Sequence, residues 1–121
     1  MNNWKHISTK EYDWNLFGDK HGRETSKVRT FFEGNQFIWE ASLKPNYTAE
    51  SHWHPYDIVQ IFLEGEFICE GEGSFYPGDI RWVKAGKSTI ESAGKEGSRF
   101  YLIALGCLLY TSDAADDGLS V

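Results

Sequence analysis

Two histidines separated by a single residue are the feature most able to do chemistry. They open the stretch His52-Trp53-His54-Pro55-Tyr56-Asp57-Ile58-Val59-Gln60-Ile61-Phe62-Leu63-Glu64-Gly65-Glu66. In an extended segment side chains alternate between faces, so His52 and His54 point one way and Trp53 the other. A neutral imidazole is the commonest metal ligand, and two on one inward face can grip one ion. If the register continues, Ile58, Gln60 and Phe62 share that face. Gln60 is then a lone amide inside an apolar run. A buried amide needs a partner, which a metal, a ligand or another side chain would supply. No thiolate belongs to the set, which argues against a structural zinc site. Two imidazoles and one amide oxygen would make a sparse, open site. His6 and His21 lie in polar sequence and are expected to face solvent, while Cys69 is expected to be a small buried hydrophobe.

Short strands must position these groups. Lys27 to Phe32 alternates and ends at the turn signal Glu33-Gly34-Asn35. Gln36 to Leu43 alternates again, with Phe37, Trp39 and Ala41 on one face and Ile38, Glu40 and Ser42 on the other; Pro45-Asn46 breaks it. Asp57 to Leu63 has strand length, Glu64-Gly65-Glu66 reads as a turn, and Phe67 to Glu70 as a short strand before Gly71-Glu72-Gly73. Pro77-Gly78-Asp79 turns into an alternating Ile80 to Lys84, and Ala85-Gly86-Lys87 turns once more. Ser88 to Ala93 and Arg99 to Leu105 supply the last strands. With one short strand or turn in the N-terminal part, that makes about eight strands near ten residues apart. No segment holds a 3.6-residue period, so the expected class is all-β, an antiparallel sandwich or barrel. Three parts are expected: an N-terminal arm over 1–25, a barrel over 26–106 and a tail over 107–121.

Composition supports a single domain. The 121 residues are 40% hydrophobic and 16% aromatic, which suits one compact, strand-rich core. A net charge of −6 repels phosphate backbones, so nucleic acid is not an expected partner. No basic amphipathic stretch suits a membrane surface, and no apolar run approaches spanning length. The N-terminus lacks the apolar core of a signal peptide. A cytoplasmic location is the expectation, or a secreted one if a leader has been trimmed away. Cys69 and Cys107 do not make a disulfide framework.

The segment Cys107-Leu108-Leu109-Tyr110-Thr111-Ser112-Asp113-Ala114-Ala115-Asp116 resembles the translation of a sequencing adapter, such as appears at contig ends in environmental DNA. On that reading 107–121 is foreign. Without Asp113, Asp116 and Asp117 the 18 acidic residues become 15, against 12 basic ones.

Two blocks together resemble the signature motifs of the cupin superfamily. The first is His52 to Glu66. The second is Tyr76-Pro77-Gly78-Asp79-Ile80-Arg81-Trp82-Val83-Lys84-Ala85-Gly86. The resemblance covers roughly residues 50–105 and implies a double-stranded β-helix, or jelly roll, around a mononuclear metal. It is incomplete. The family's glutamate falls at Ile58, which cannot ligate, and its third histidine falls at Thr89. Gln60 keeps the inward parity and can replace the glutamate. Glu91 and Thr89 are weaker candidates for a further ligand.

The expected metal set is therefore His52, His54 and Gln60, which would also be the catalytic residues. A neutral, open site of this kind suits copper ahead of iron, then manganese, nickel or zinc; a two-histidine, one-carboxylate set for iron would need Glu91. Trp53, Tyr56 and Trp82 are the candidates for substrate contact, because exposed aromatics stack on sugar rings. The combination resembles small metagenomic cupins that oxidise cellulose with copper. The expected function is thus oxidative attack on plant polysaccharide with oxygen or peroxide. Alternatives are an iron or manganese dioxygenase, a sugar-acid isomerase, and a sugar-binding cupin without activity. Cupins commonly pair, so a homodimer is expected.

Overall fold

The computed structural model describes residues 3–23, 25–32 and 36–105. The tail read as adapter-derived and the turn signal at 33–35 lie outside the described residues. Seven strands appear: β1 (Asn15–Phe17), β2 (Ser26–Phe32), β3 (Ile38–Leu43), β4 (Ile58–Cys69), β5 (Gly73–Phe75), β6 (Ile80–Val83) and β7 (Glu91–Ala104). A single 3₁₀ turn, Thr9–Glu11, precedes β1. Every pairing is antiparallel. The sheet runs β1-β2-β3-β7-β4-β5, with β6 on the other side of β4. The fold is all-β, as the alternation implies.

One expected turn is not a turn: Glu64-Gly65-Glu66 lies inside the continuous twelve-residue β4. The last two expected strands, Ser88 to Ala93 and Arg99 to Leu105, are joined in the fourteen-residue β7. At Glu64–Phe67 the β4–β7 register slips instead, between Phe62 and Glu64 and again between Gly65 and Phe67. A bulge of this kind bends a strand without ending it. Gly65 and Gly97 make the bend possible. Both have positive φ, 76° and 77°, and a Cβ on Gly65 would run into the Gly97 carbonyl. Glycine supplies both the left-handed backbone and the missing side chain. Pro45-Asn46 does break β3, with Asn46 at φ 62°.

The core gathers on the inner faces. Ile58, Phe62, Phe67, Phe100 and Leu102 are buried. Phe62, Phe67 and Phe100 form a close aromatic group, with ring centres 5.1 to 5.5 Å apart. The N-terminal residues are tied to the sheet rather than loose. β1 pairs with β2, and the Arg29 guanidinium lies 4.1 Å from the centre of the Trp14 ring. On the outer face of β3, Glu40 is buried and accepts from Arg29 and Arg99 at 2.9 and 2.8 Å.

Candidate functional site

His52 and His54 sit on the extended segment between β3 and β4. Two isolated bridges tie it to neighbouring backbone, Thr48 to Ser92 and, through two backbone hydrogen bonds, His52 to Thr89. The alternation holds there: His52 and His54 are half-buried and Trp53 is exposed. The two rings meet edge to face, 5.4 Å apart at an interplanar angle of 88°. Two imidazoles sharing one ion at a metal–nitrogen distance of about 2 Å, at roughly a right angle, would have ring centres about 5 Å apart. The spacing of the pair is compatible with a shared ion.

Each ring is held. The Nδ1 atom of His52 lies 3.0 Å from the Glu50 carbonyl oxygen. A carbonyl only accepts, so Nδ1 is the donor, and the neutral tautomer of this ring carries its lone pair on Nε2. His54 stacks on Tyr56 at 5.7 Å, and Tyr56 meets Phe37 edge-on. Burial, reinforced by the neighbouring His52, pushes the pKa of His54 below its ordinary value. Its imidazole is thus kept neutral, the form that ligates.

Glu91, at the start of β7, comes to the same place. Its Oε1 lies 3.6 Å from the Nε2 of His52, and its Oε2 accepts from Thr89 Oγ1 at 2.9 Å. Thr89 is buried and committed to that contact. Among the described residues, no three His, Cys, Asp or Glu side chains form a ready metal set. Two histidines with one carboxylate beside them are what the chain brings together.

Gln60 is inward and 1% exposed, as its parity requires. Its oxygen, however, accepts from Nη1 of Arg81 at 2.6 Å. Arg81 is the site residue that the sequence reading passes over. It lies on β6 opposite Gln60, and only 3% of it is exposed. Its Nε and Nη2 donate to the two Glu72 oxygens, each at 2.7 Å. Nη2 also reaches Cys69 Sγ at 3.1 Å, and Nη1 lies 3.5 Å from Glu91 Oε2. Burial works against the guanidinium charge, but Glu72, Cys69 and Glu91 together outweigh it and the pKa of Arg81 rises. A signal did exist: a buried amide oxygen in an apolar run calls for a donor, and Arg81 is a long-chain donor between the Pro77-Gly78-Asp79 turn and Val83.

His52, His54, Gln60 and Glu91 supply the polar part of the lining of a cavity of about 370 Å³. Phe17, Val28, Trp39, Ala41, Phe100 and Leu102 line much of the rest. Tyr56 touches the site through His54, whereas Trp53 and Trp82 are 59% and 58% exposed and lie outside the cavity lining. His6 and His21 are exposed and away from the site.

No protein-family model matches the sequence, and comparison with curated proteins gives no match. Solved structures match well. An RmlC-like cupin protein from Ralstonia eutropha aligns with a TM-score of 0.75 at 12% identity, over 86% of this chain and 69% of that one. KdgF from Halomonas sp. aligns with a TM-score of 0.68 at 17% identity, over 84% and 94%. A chain in the Rhodobacter sphaeroides complex of SigE with the anti-sigma ChrR aligns at 0.67 and 14% identity; 80% of this chain covers 51% of that longer one. Together with the bent β4–β7 pair and the antiparallel order around an inner cavity, these likenesses establish that the chain has the cupin fold, a double-stranded β-helix.

Proposed function

We propose that the chain is a metal-dependent enzyme in which His52 and His54 hold one ion, with Glu91 as the third protein ligand. The observation that carries this reading is the perpendicular imidazole pair, 5.4 Å apart, in the polar part of the lining of an otherwise apolar cavity. Gln60 is a poorer ligand than its parity suggested. Its oxygen already faces a guanidinium, which would repel a cation. With Glu91 in its place the set becomes two histidines and one carboxylate. That composition moves iron(II) ahead of copper(II).

Such an ion, when bound, supplies redox chemistry with dioxygen. The chain's own residues prepare for it. The Glu50 carbonyl fixes the His52 tautomer, burial keeps His54 neutral, and Thr89 orients Glu91. The apolar walls exclude water and favour a small, largely carbon-rich substrate.

A second reading rests on a different observation. Trp53 and Trp82 are large, flat and more than half exposed, which favours the copper-dependent attack on polysaccharide that the resemblance implies. The two readings differ in metal and in substrate. Elemental analysis of the purified protein, with and without reconstitution, is expected to find about one iron per chain and much less in His52→Ala. Near-stoichiometric copper, together with oxidised sugars released from cellulose in the presence of reductant, would favour the second reading. No metal uptake at all, or equal uptake by a His52→Ala/His54→Ala variant, would sink both.

A further inference from the structure

Arg81 decides which end of the Gln60 amide is left for the cavity. A guanidinium carries donors only, so the amide atom 2.6 Å from its Nη1 is the oxygen. Arg81 is not free to turn away. Glu72, Cys69, Glu91 and Gln60 together offer five contacts to its five N–H groups. Its guanidinium also lies 5.7 Å from the centre of the Phe67 ring, buried against the aromatic core. The amide of Gln60 is thereby locked in one orientation. Its oxygen points to Arg81, and its NH₂ group is the part available to whatever occupies the cavity that Gln60 lines.

We infer that Gln60 acts as a hydrogen-bond donor to the ligand, and that the cavity takes a neutral, apolar molecule carrying a carbonyl oxygen. Both halves of that description come from the lining. The walls offer aromatic and aliphatic carbon from Phe17, Trp39, Phe100 and Leu102, which matches a flat hydrocarbon body. In the polar part of the lining the Gln60 NH₂ donates, while Glu91 presents a carboxylate oxygen beside His52. A carboxylate ligand would meet Glu91 and be repelled. A neutral carbonyl carries no net charge for Glu91 to repel and accepts from the Gln60 donor. The ligand's carbonyl is thereby placed at the part of the lining that holds the two histidines. The inference rests on the cavity being the substrate chamber proposed above, but it makes no use of the ion.

The test uses the full chain stripped of metal by chelator, with 2-acetylnaphthalene and 2-ethylnaphthalene as probes. The two have nearly the same shape, and only the first carries an acceptor. The ketone is expected to bind about threefold to tenfold more tightly, the range of one neutral hydrogen bond. Its addition should move the side-chain ¹⁵N–¹H₂ resonances of Gln60, which the hydrocarbon should leave in place. Gln60→Met should bring the two affinities together. Should that variant fail to fold, the wild-type resonance shift decides alone. Equal affinities, an unmoved Gln60 amide, or binding of neither probe would overturn the inference. A chain that takes up no metal yet prefers the ketone would end the metal reading and leave this one standing. A chain that loads metal but treats the two probes alike would do the reverse.

Discussion

The Arg81 guanidinium sits among side chains that titrate away from their ordinary values, and two measurements can read this. It holds the Glu72 carboxyl at about 2, below the ordinary 4.5, through their hydrogen bonds. The folded value lies below the unfolded one. The stabilisation is therefore complete above about pH 4.5 and is lost as the pH falls towards 2. The melting temperature of the wild type should drop more steeply between pH 5 and pH 2.5 than that of Glu72→Gln, which should be the less stable of the two at neutral pH. Parallel curves would mean that the pair adds nothing. Cys69 moves the other way: burial, and then its hydrogen bond to Glu72, pushes its thiol up to about 11. In a Cys107→Ser background, iodoacetamide at pH 8 should alkylate it on the order of a hundredfold more slowly than an ordinary thiol. Ordinary reactivity in the native state would contradict that environment. The inward parity of His52, His54 and Gln60 was legible in the sequence, because alternation is a local property of extended backbone. Arg81 was not. Ile80-Arg81-Trp82-Val83 alternates whichever face is turned inward, and pairing of Gln60 with Arg81 across β4 and β6 makes the choice. Ile80 and Trp82, the more apolar-looking pair, face out.

At the scale of elements, glycine explains both what could be read and what could not. Gly-bearing segments separate most of the strands as their chemistry suggests. Gly65 carries the same signal but sits in a bend. The difference lies in a tertiary contact: the Gly97 backbone passes where a Gly65 side chain would stand. No local pattern reports that approach. Gly65→Ala should therefore cost about 3 kcal/mol or more, combining an unfavourable left-handed backbone with a steric clash. Gly71→Ala shares the positive φ, at 86°, but meets nothing within 4 Å. It should cost only about 1 kcal/mol. Urea denaturation of both variants checks the contrast, and equal losses would mean that the close approach carries no penalty.

Across the whole molecule, the sheet carries apolar side chains on both faces. Inside lie Ile58, Phe62 and Phe100. Outside, Trp82 neighbours Val59, which neighbours Ile103, and Ile80 neighbours Ile61. Ile80 and Trp82 are 65% and 58% exposed. Adjoining apolar side chains on an exposed sheet face favour association. We propose that the homodimer expected from the resemblance uses this face. Sedimentation should then show a dimer for the wild type and a monomer for Ile80→Lys/Trp82→Lys. An unchanged sedimentation coefficient would remove the face from consideration.

The strand order has a bearing on how the molecule comes into being. β7 is the last described strand in the chain, yet it lies between β3 and β4 and joins them. Until residue 104 has left the ribosome, neither of those strands has its central neighbour. Two open edges and the aromatic interior then wait for a partner made last. Loop closure over that separation comes before any reward from packing, so refolding should take milliseconds to seconds rather than microseconds. During synthesis the half-made barrel exposes apolar surface and unpaired strand edges, which favour aggregation.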